Sequence, residues 1–420
     1  MDKKPEKLVP EVRFKGFTDD WEQRKLGDEY KHIGNAFVGT ASPYYTQNGY
    51  FYLESNNIKN GQINHDHEVF INESFYHKQL NKLLHTGDLV MVQSGHVGDT
   101  AVITEKYNGT AAHALIMFRK PQNNMLSFFL NSFFQSSNAK NRIDVLAIGN
   151  TIRHILASDM KKFVVYLPDN KEKVEVAELF LELQKLISLQ QRKLEQLKQL
   201  KTAMLQQLFV NKNYKQPILR FKNFNGNWEK RKFSELATIR RGLTYKPKDV
   251  RECGKNSKRV LRSSNINENS FVIYNDDVFV DKSSINIAYV HNNDILITAA
   301  NGSSKLVGKH ALIHDIPDNS AVHGGFMLLA SSNNPEFINA LMSSPWYSRF
   351  VNNYVIGGNG AIGNLKKDDL DSQIIYTPIK NEIKKIGHFF NRLDNLIALQ
   401  QNKLTQLTTL KEYLLQKLFI

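Results

Sequence analysis

Two long stretches of this chain carry apolar residues at steps of three and four. In the first, Leu183, Ile187, Leu194, Leu197, Met204 and Leu208 share one seam, with Gln190 and Lys201 in the gaps. In the second the seam runs through Leu393, Ile397, Gln400, Leu404, Leu407, Lys411, Leu414 and Leu418. Such alternation is a heptad pattern. Residues 174–210 and 383–420 lack proline and are rich in Leu, Gln, Lys and Glu, so each is predicted to be one long helix. A helix of that length spans roughly 55 Å. Leu186, Leu189, Leu200 and Leu205 widen the apolar face beyond a strict seam, which suits a helix with two partners, its sister and something else. Gln190 and Gln400, like Lys201 and Lys411, recur at equivalent seam positions. They either fix the register of the pair or snorkel at its edge, and both readings stand.

Outside the helices the pattern shortens. Asp88 to Ser94 and Asp294 to Thr298 are β-like runs ending in turns. Asn-Gly, Asn-Asn, Gly-Asp and Ser-Ser clusters punctuate both regions. Short helices are predicted near 125–142 and 335–350. Two mixed heads result, with more strand than helix and no sheet topology assigned.

The order of elements occurs twice. Val12-Arg13-Phe14-Lys15-Gly16-Phe17 returns as Leu219-Arg220-Phe221-Lys222-Asn223-Phe224, and Trp21-Glu22-Gln23-Arg24-Lys25 as Trp228-Glu229-Lys230-Arg231-Lys232. Ser55-Asn56-Asn57-Ile58 corresponds to Ser263-Ser264-Asn265-Ile266, and Val165-Tyr166-Leu167-Pro168 to Ile375-Tyr376-Thr377-Pro378. The helix segments match best: Leu189-Gln190-Gln191 to Leu399-Gln400-Gln401, and Leu208-Phe209 to Leu418-Phe419. The middles of the heads are far less similar. The chain reads as an α+β tandem duplication: two mixed α/β heads separated by two long helices packed as an antiparallel coiled coil about a pseudo-two-fold axis. The expected boundaries are 1–170 for the first head, 171–212 for a central helical spacer, 213–380 for the second head and 381–420 for a C-terminal helical spacer.

Charge narrows the function. The 420 residues carry a net charge of +14, which points to a polyanionic partner, nucleic acid or an acidic membrane surface. The single cysteine, Cys253, excludes an intramolecular disulfide and a cysteine-rich zinc site. No signal peptide and no membrane-spanning run is apparent, so a cytoplasmic location is expected.

Enzyme motifs are incomplete. Gly358-Asn359-Gly360-Ala361-Ile362-Gly363 fits a dinucleotide fingerprint, which needs a preceding strand and a helix opening on it. A loop near a phosphate backbone suits it better. His65 and His67 could share a metal, but no further ligand is apparent and the second copy has no equivalent. Ser42-Pro43-Tyr44-Tyr45 lacks the rest of a methyltransferase signature, and His310 stands where a phosphate loop needs Ser or Thr. No catalytic residue, cofactor site or metal site is assigned.

The layout of head, helix, head, helix resembles the specificity (S) subunit of type I restriction–modification systems. The resemblance is carried by the helix endings Lys193 to Phe209 and Lys403 to Phe419, by the openings Arg13-Phe14 … Trp21 and Arg220-Phe221 … Trp228, and by Asp88 … Ser94-Gly95-His96-Val97-Gly98. The second head departs from it at Asn301-Gly302-Ser303-Ser304-Lys305. The resemblance implies that each head is a target-recognition domain reading half of a bipartite double-stranded DNA site. It implies that the helices set the spacer and dock two methyltransferase (M) subunits, with restriction (R) subunits joining through the complex. It places S-adenosylmethionine, ATP and Mg on those partners and leaves this chain without catalysis or membrane contact. A stand-alone two-headed DNA-binding regulator is the alternative.

Major-groove edges are read by Arg or Lys on guanine, Asn or Gln on adenine, and Ser or Thr on either. The divergent turns of the first head carry such types at Asn56, Asn57, Ser94, His96, Asn150, Thr151, Arg153 and His154, with Gly95 and Gly98 between them. The second head offers Arg262, Ser263, Ser264, Asn265, Asn301, Gly302, Ser303, Ser304, Lys305, Asn359 and Asn364, with Arg240 and Arg241 placed to grip phosphates.

Overall fold

The structure, a computed structural model, describes residues 8–123, 125–149, 153–211, 214–355 and 363–420. Its contacts divide the chain into two compact units, one of Met1–Gln191 with Asn402–Ile420, the other of Arg192–Gln401. Each long helix therefore contributes one part to each unit.

In the first unit an antiparallel sheet has the strand order Tyr30–Asn35, Leu115–Pro121, Leu89–Val92, Thr100–Val102. Strand side chains alternate between faces, and here both faces are covered. Leu89 and Met91 join Ile116, Phe118, Phe129 and Phe133 in one core, while Val90 and Val92 join Leu53, Leu115 and Met117 in another. This is why residues 89–92 are apolar without interruption. A second sheet has the order Ala111–Ala112, Tyr50–Leu53, Val69–Ile71, Tyr45–Thr46, its first pairing parallel. A two-stranded ribbon, Glu22–Lys25 with Val164–Leu167, closes the head.

The second unit repeats this topology. Its first sheet runs Thr238–Arg241, Met327–Ser331, Ile295–Thr298, His310–Leu312, and its second runs Ala321–His323, Ser257–Leu261, Phe279–Asp281, Val250–Arg251, again with a parallel first pairing. The ribbon is Glu229–Lys232 with Ile374–Thr377.

Two predicted helices prove to be helix pairs. Leu126–Phe133 ends before Ser136, whose hydroxyl accepts from the Ala139 amide at 3.2 Å and caps Ser137–Leu146. In the other head Pro345 holds Ser344 in an extended conformation between Pro335–Met342 and Pro345–Tyr354.

The long helices are Asn170–Leu208 and Lys380–Lys417, each beginning about one turn before its apolar pattern does. For the first, the Asp169 carboxylate accepts from the Lys171 and Glu172 amides at 2.7 and 3.0 Å, a polar cap that periodicity does not register. The helices pack antiparallel within each unit. In the first, Phe180 meets Phe419 and Gln184 meets Lys411. In the second, Phe209 meets Phe390 and Lys201 pairs with Asp394. Leu183, Ile187, Leu194, Leu208, Leu393 and Leu418 are buried along the seam, and Leu197, Ile397, Leu404 and Leu407 are half-buried. Gln190 and Gln400 are buried among them, which favours the register role over snorkelling. Leu205 is corrected: it lies in the second unit's core and does not widen the exposed face, whereas Leu186, Leu189 and Leu200 are exposed.

A repeated clasp joins head to helix. Arg13 donates from Nε and Nη2 to both oxygens of Glu172 at 2.7 Å, and Trp21 Nε1 adds a bond at 3.1 Å. Arg220 grips Glu382 in the same bidentate way at 2.8 and 2.7 Å. Trp228 is buried, but its Nε1 meets no acceptor among the described residues. The helix endings are core residues too. Phe419 sits with Phe129, Phe133 and Phe180 in the first unit, and Phe209 with Trp228, Phe337 and Phe390 in the second.

Candidate nucleic-acid interface

In the first head three turns converge. Strand Tyr50–Leu53 leads into Ser55-Asn56, and strand Leu89–Val92 into Ser94-Gly95-His96. The third segment is marked by mutual backbone bonds between Ile148 and His154 at 2.8 Å. His96 Nε2 reaches the Ser55 carbonyl at 3.0 Å, and the Ser94 hydroxyl meets His154 Nδ1 at 2.5 Å. The Gly95 amide donates to the Arg153 carbonyl at 3.3 Å. Gly95 has φ +84 and nothing near a would-be side chain, so glycine here serves the turn. Asn56, Gly95, His96 and His154 are exposed, and Ser94 and Arg153 partly so. Arg153 also bonds Asp144 at 2.9 Å, in an ion pair exposed enough to be exchanged for another partner.

The second head brings the corresponding turns together. Asn301 Nδ2 donates to Ser263 Oγ at 3.1 Å, and its Oδ1 accepts from the Ser303 amide at 3.0 Å. Ala300-Asn301 pairs antiparallel with Gly363-Asn364. Arg262, Ser264, Gly302, Ser303, Ser304, Lys305 and Asn364 are exposed on these segments. Exposed Arg241 ends its strand beside Gly242, whose backbone lies so close to Gly324 that no side chain fits there.

Four expected contacts are corrected. Asn57 is fully buried: its Oδ1 accepts from the Glu54 amide, and its Nδ2 donates to the Asn64 and His67 carbonyls. Asn265 does the same work, accepting from the Arg262 amide and donating to the Val272 carbonyl and Asp277. Both amides are spent inside the head. Gly98 is buried at φ +93 against Ile143, where a side chain would collide. Arg240 is committed to Asp294 and Ser331 at 3.3 and 3.4 Å, near the strand end opposite the turns. Asn150, Thr151 and Asn359 lie outside the described residues.

The competing motifs do not assemble. Gly363 belongs to a strand, so the fingerprint does not open a helix there, and the rest of it lies outside the described residues. His65 spends its ring nitrogens on Glu68 and Tyr107 at 2.5 and 2.7 Å. No group of three or more metal-capable side chains occurs among the described residues. No helix there is long and apolar enough to cross a membrane.

Two heads of one topology, each bringing exposed polar turns together at one end of its sheets, define a duplicated two-headed recognition architecture. The model of the type I restriction modification DNA specificity domain matches residues 18–199 and again residues 225–409, so the chain belongs to that family. It is similar to the type I restriction enzyme EcoKI specificity subunit of Escherichia coli K12, with 24% identity over 389 residues, 87% of this chain and 81% of that one. The crystal structure of the S subunit of an M. genitalium type I system aligns with a TM-score of 0.69 at 15% identity, over 98% of this chain and 99% of that one. A second solved structure, from work on assembly and conformational transition of the type I system, aligns with a TM-score of 0.50 at 14% identity over 98% of each chain. The structural likenesses show the fold, and the family match gives the role: a DNA specificity subunit working in a complex with other subunits.

Proposed function

We propose that each head reads one half of a bipartite DNA site through its converged turns, and that the two long helices set the spacer between the half-sites. The observation that carries this reading is the recurrence of two turns with the same strand parentage, bonded to each other and paired with a third segment at His154 in one head and Gly363–Asn364 in the other, on two heads whose turn sequences differ. Shared scaffold with different side chains is what reading two different sequences requires.

The exposed leucines support docking of two methyltransferase subunits. Leu186, Leu189 and Leu200 recur 210 residues later as Leu396, Leu399 and Leu410, and all six are exposed. Each unit thus carries the same three apolar positions, which suits two copies of one partner. The chain supplies binding and positioning. Adenine methylation with S-adenosylmethionine, and ATP- and Mg-dependent restriction, belong to the M and R partners in the cytoplasm.

The test is single-molecule sequencing of adenine methylation in a host expressing the neighbouring methyltransferase gene with and without this chain. A split motif present only with the chain is the expected result. Folded methyltransferase without chain-dependent methylation would favour a stand-alone regulator.

A further inference from the structure

The heads differ at one place beside the reading turns. In the first head, Ala111–Ala112 runs parallel to Tyr50–Leu53, and the next residue, His113, bridges to Phe37. His113 fills the space there. Its Nε2 bonds the Gly39 carbonyl at 2.9 Å, its Nδ1 lies 3.4 Å from Glu54, and its ring packs near Phe37 and Tyr52.

In the second head the equivalent bridge joins Leu243 to Gly324, and Arg262 follows Leu261 where Glu54 follows Leu53. Gly324 and Gly325 leave the space unfilled. An open pocket of about 660 Å³ remains, with Leu243, Tyr245 and Met327 in its wall and Arg262 and Asn301 beside them. The connection is also longer. One residue, Ala114, separates His113 from the strand at Leu115, whereas Gly325 and Phe326 separate Gly324 from the strand at Met327.

Phe326, which also lines this pocket, is 71% exposed, more than any other phenylalanine among the described residues. Its carbonyl accepts from the Ala299 and Ala300 amides at 2.9 and 3.0 Å, so the backbone beneath the ring is fixed. Arg241, Lys246, Lys248, Arg262 and Lys305, all exposed, lie on the segments around it. An exposed apolar ring on a fixed backbone, in a basic frame and next to polar turns, matches one feature of the major groove: the 5-methyl group of thymine, the apolar mark that distinguishes it from the other bases.

We propose that Phe326 is a specificity-determining residue that reads a thymine methyl group in the half-site bound by the second head, with Arg262 and Asn301 reaching neighbouring base edges. This rests on the reading of the heads as DNA readers.

The test uses the assembled methyltransferase complex containing this chain, and duplexes carrying its mapped site with each thymine replaced in turn by deoxyuridine. That replacement removes only the methyl group. Within one half-site, one position is expected to bind about fourfold more weakly as deoxyuridine, equivalent to ~0.8 kcal/mol for one buried methylene-sized group. Phe326→Ala should weaken the thymine duplex by a similar factor and abolish the difference between the two bases, while Phe326→Leu keeps most of it. The other half-site should respond identically in all three proteins. Because the ring is exposed, unchanged melting temperatures are expected to show that the variants fold. No deoxyuridine-sensitive position in that half-site would overturn the proposal, as would a sensitivity that survives Phe326→Ala. Equal weakening of both duplexes by Phe326→Ala, the mark of a ring wedged between bases, would also overturn it. Scrambling the whole half-site separates this from the broader reading: binding that ignores the scramble sinks the second head as a DNA reader altogether.

Discussion

Glu172, 1% exposed, places its side-chain oxygens in the join between head and helix, where both are held by the bidentate grip of Arg13. Removing one partner of a buried pair strands the other, at a cost of about 3–5 kcal/mol. Arg13→Ala should therefore cost several kcal/mol in denaturant unfolding, and Arg220→Ala should do the same to the second unit. The Arg-Phe … Trp openings were legible as a repeat but not as a clasp, since the partner glutamate lies about 160 residues away. The asparagines misled for a related reason. Asn57 and Asn265 have the residue type that reads adenine, and the same amide is equally suited to pinning a turn from within; sequence does not distinguish the two uses. A second effect belongs to single residues. Burial holds His310 and His323 at a pKa of about 4, below the usual histidine value, so both fold neutral. Their counterparts by strand register in the first head are Thr100 and Ala112. The unfolded chain takes up these protons as pH falls below 6.5, whereas the folded chain does so only near 4. Stability of the second unit should fall across that window, and peptide-resolved hydrogen exchange should show it opening before the first; simultaneous opening would contradict this.

The long helices were legible almost to their ends, because a heptad seam repeated over several turns leaves little ambiguity. Their junctions with the heads were not, since caps and helix breaks depend on single polar residues such as Asp169 and Ser136. The pairing also breaks the sequence symmetry. Lys201 has Asp394 as its partner, whereas among the described residues Lys411 donates to the amide oxygens of Gln184 and Gln135. Burial pushes Lys411 down to about 8. A lysine depressed in the folded state weakens the fold while it is protonated, so its share of stability should rise between about pH 8 and 10.5. Gln184→Glu, an isosteric change, should raise the melting temperature at pH 7 by a few degrees and flatten that alkaline rise. The same helices carry the spacer prediction. Four residues inserted into each, near 190–205 and its repeat, add about 6 Å, roughly two base pairs. Methylation mapping should show the tolerated spacer lengthen accordingly, and an unchanged spacer would refute the ruler.

For the whole molecule, duplication was readable from the first pass, because ordered matches at a fixed offset survive even where the heads diverge. Sheet topology was not, since strands of two to five residues buried on both faces lose the alternation that marks an edge. Independent heads make a molecule-scale prediction: exchanging Ser94–Gly98 or Asn301–Lys305 for the turn of a relative should change one half of the methylated motif and spare the other. A shift of both halves together would show that the heads do not act separately. The placement of Phe419 bears on how such a chain is made. The first unit is assembled from the two ends of the sequence, while the second is one uninterrupted stretch. On the ribosome, the head synthesised first waits longest for its last core residues, and its aromatic cluster stays open until the final turn of helix emerges. A message cut short near residue 410 would yield a sound second head beside a leaky first one, so loss of the tail would be felt hundreds of residues away, as premature exposure of Trp21.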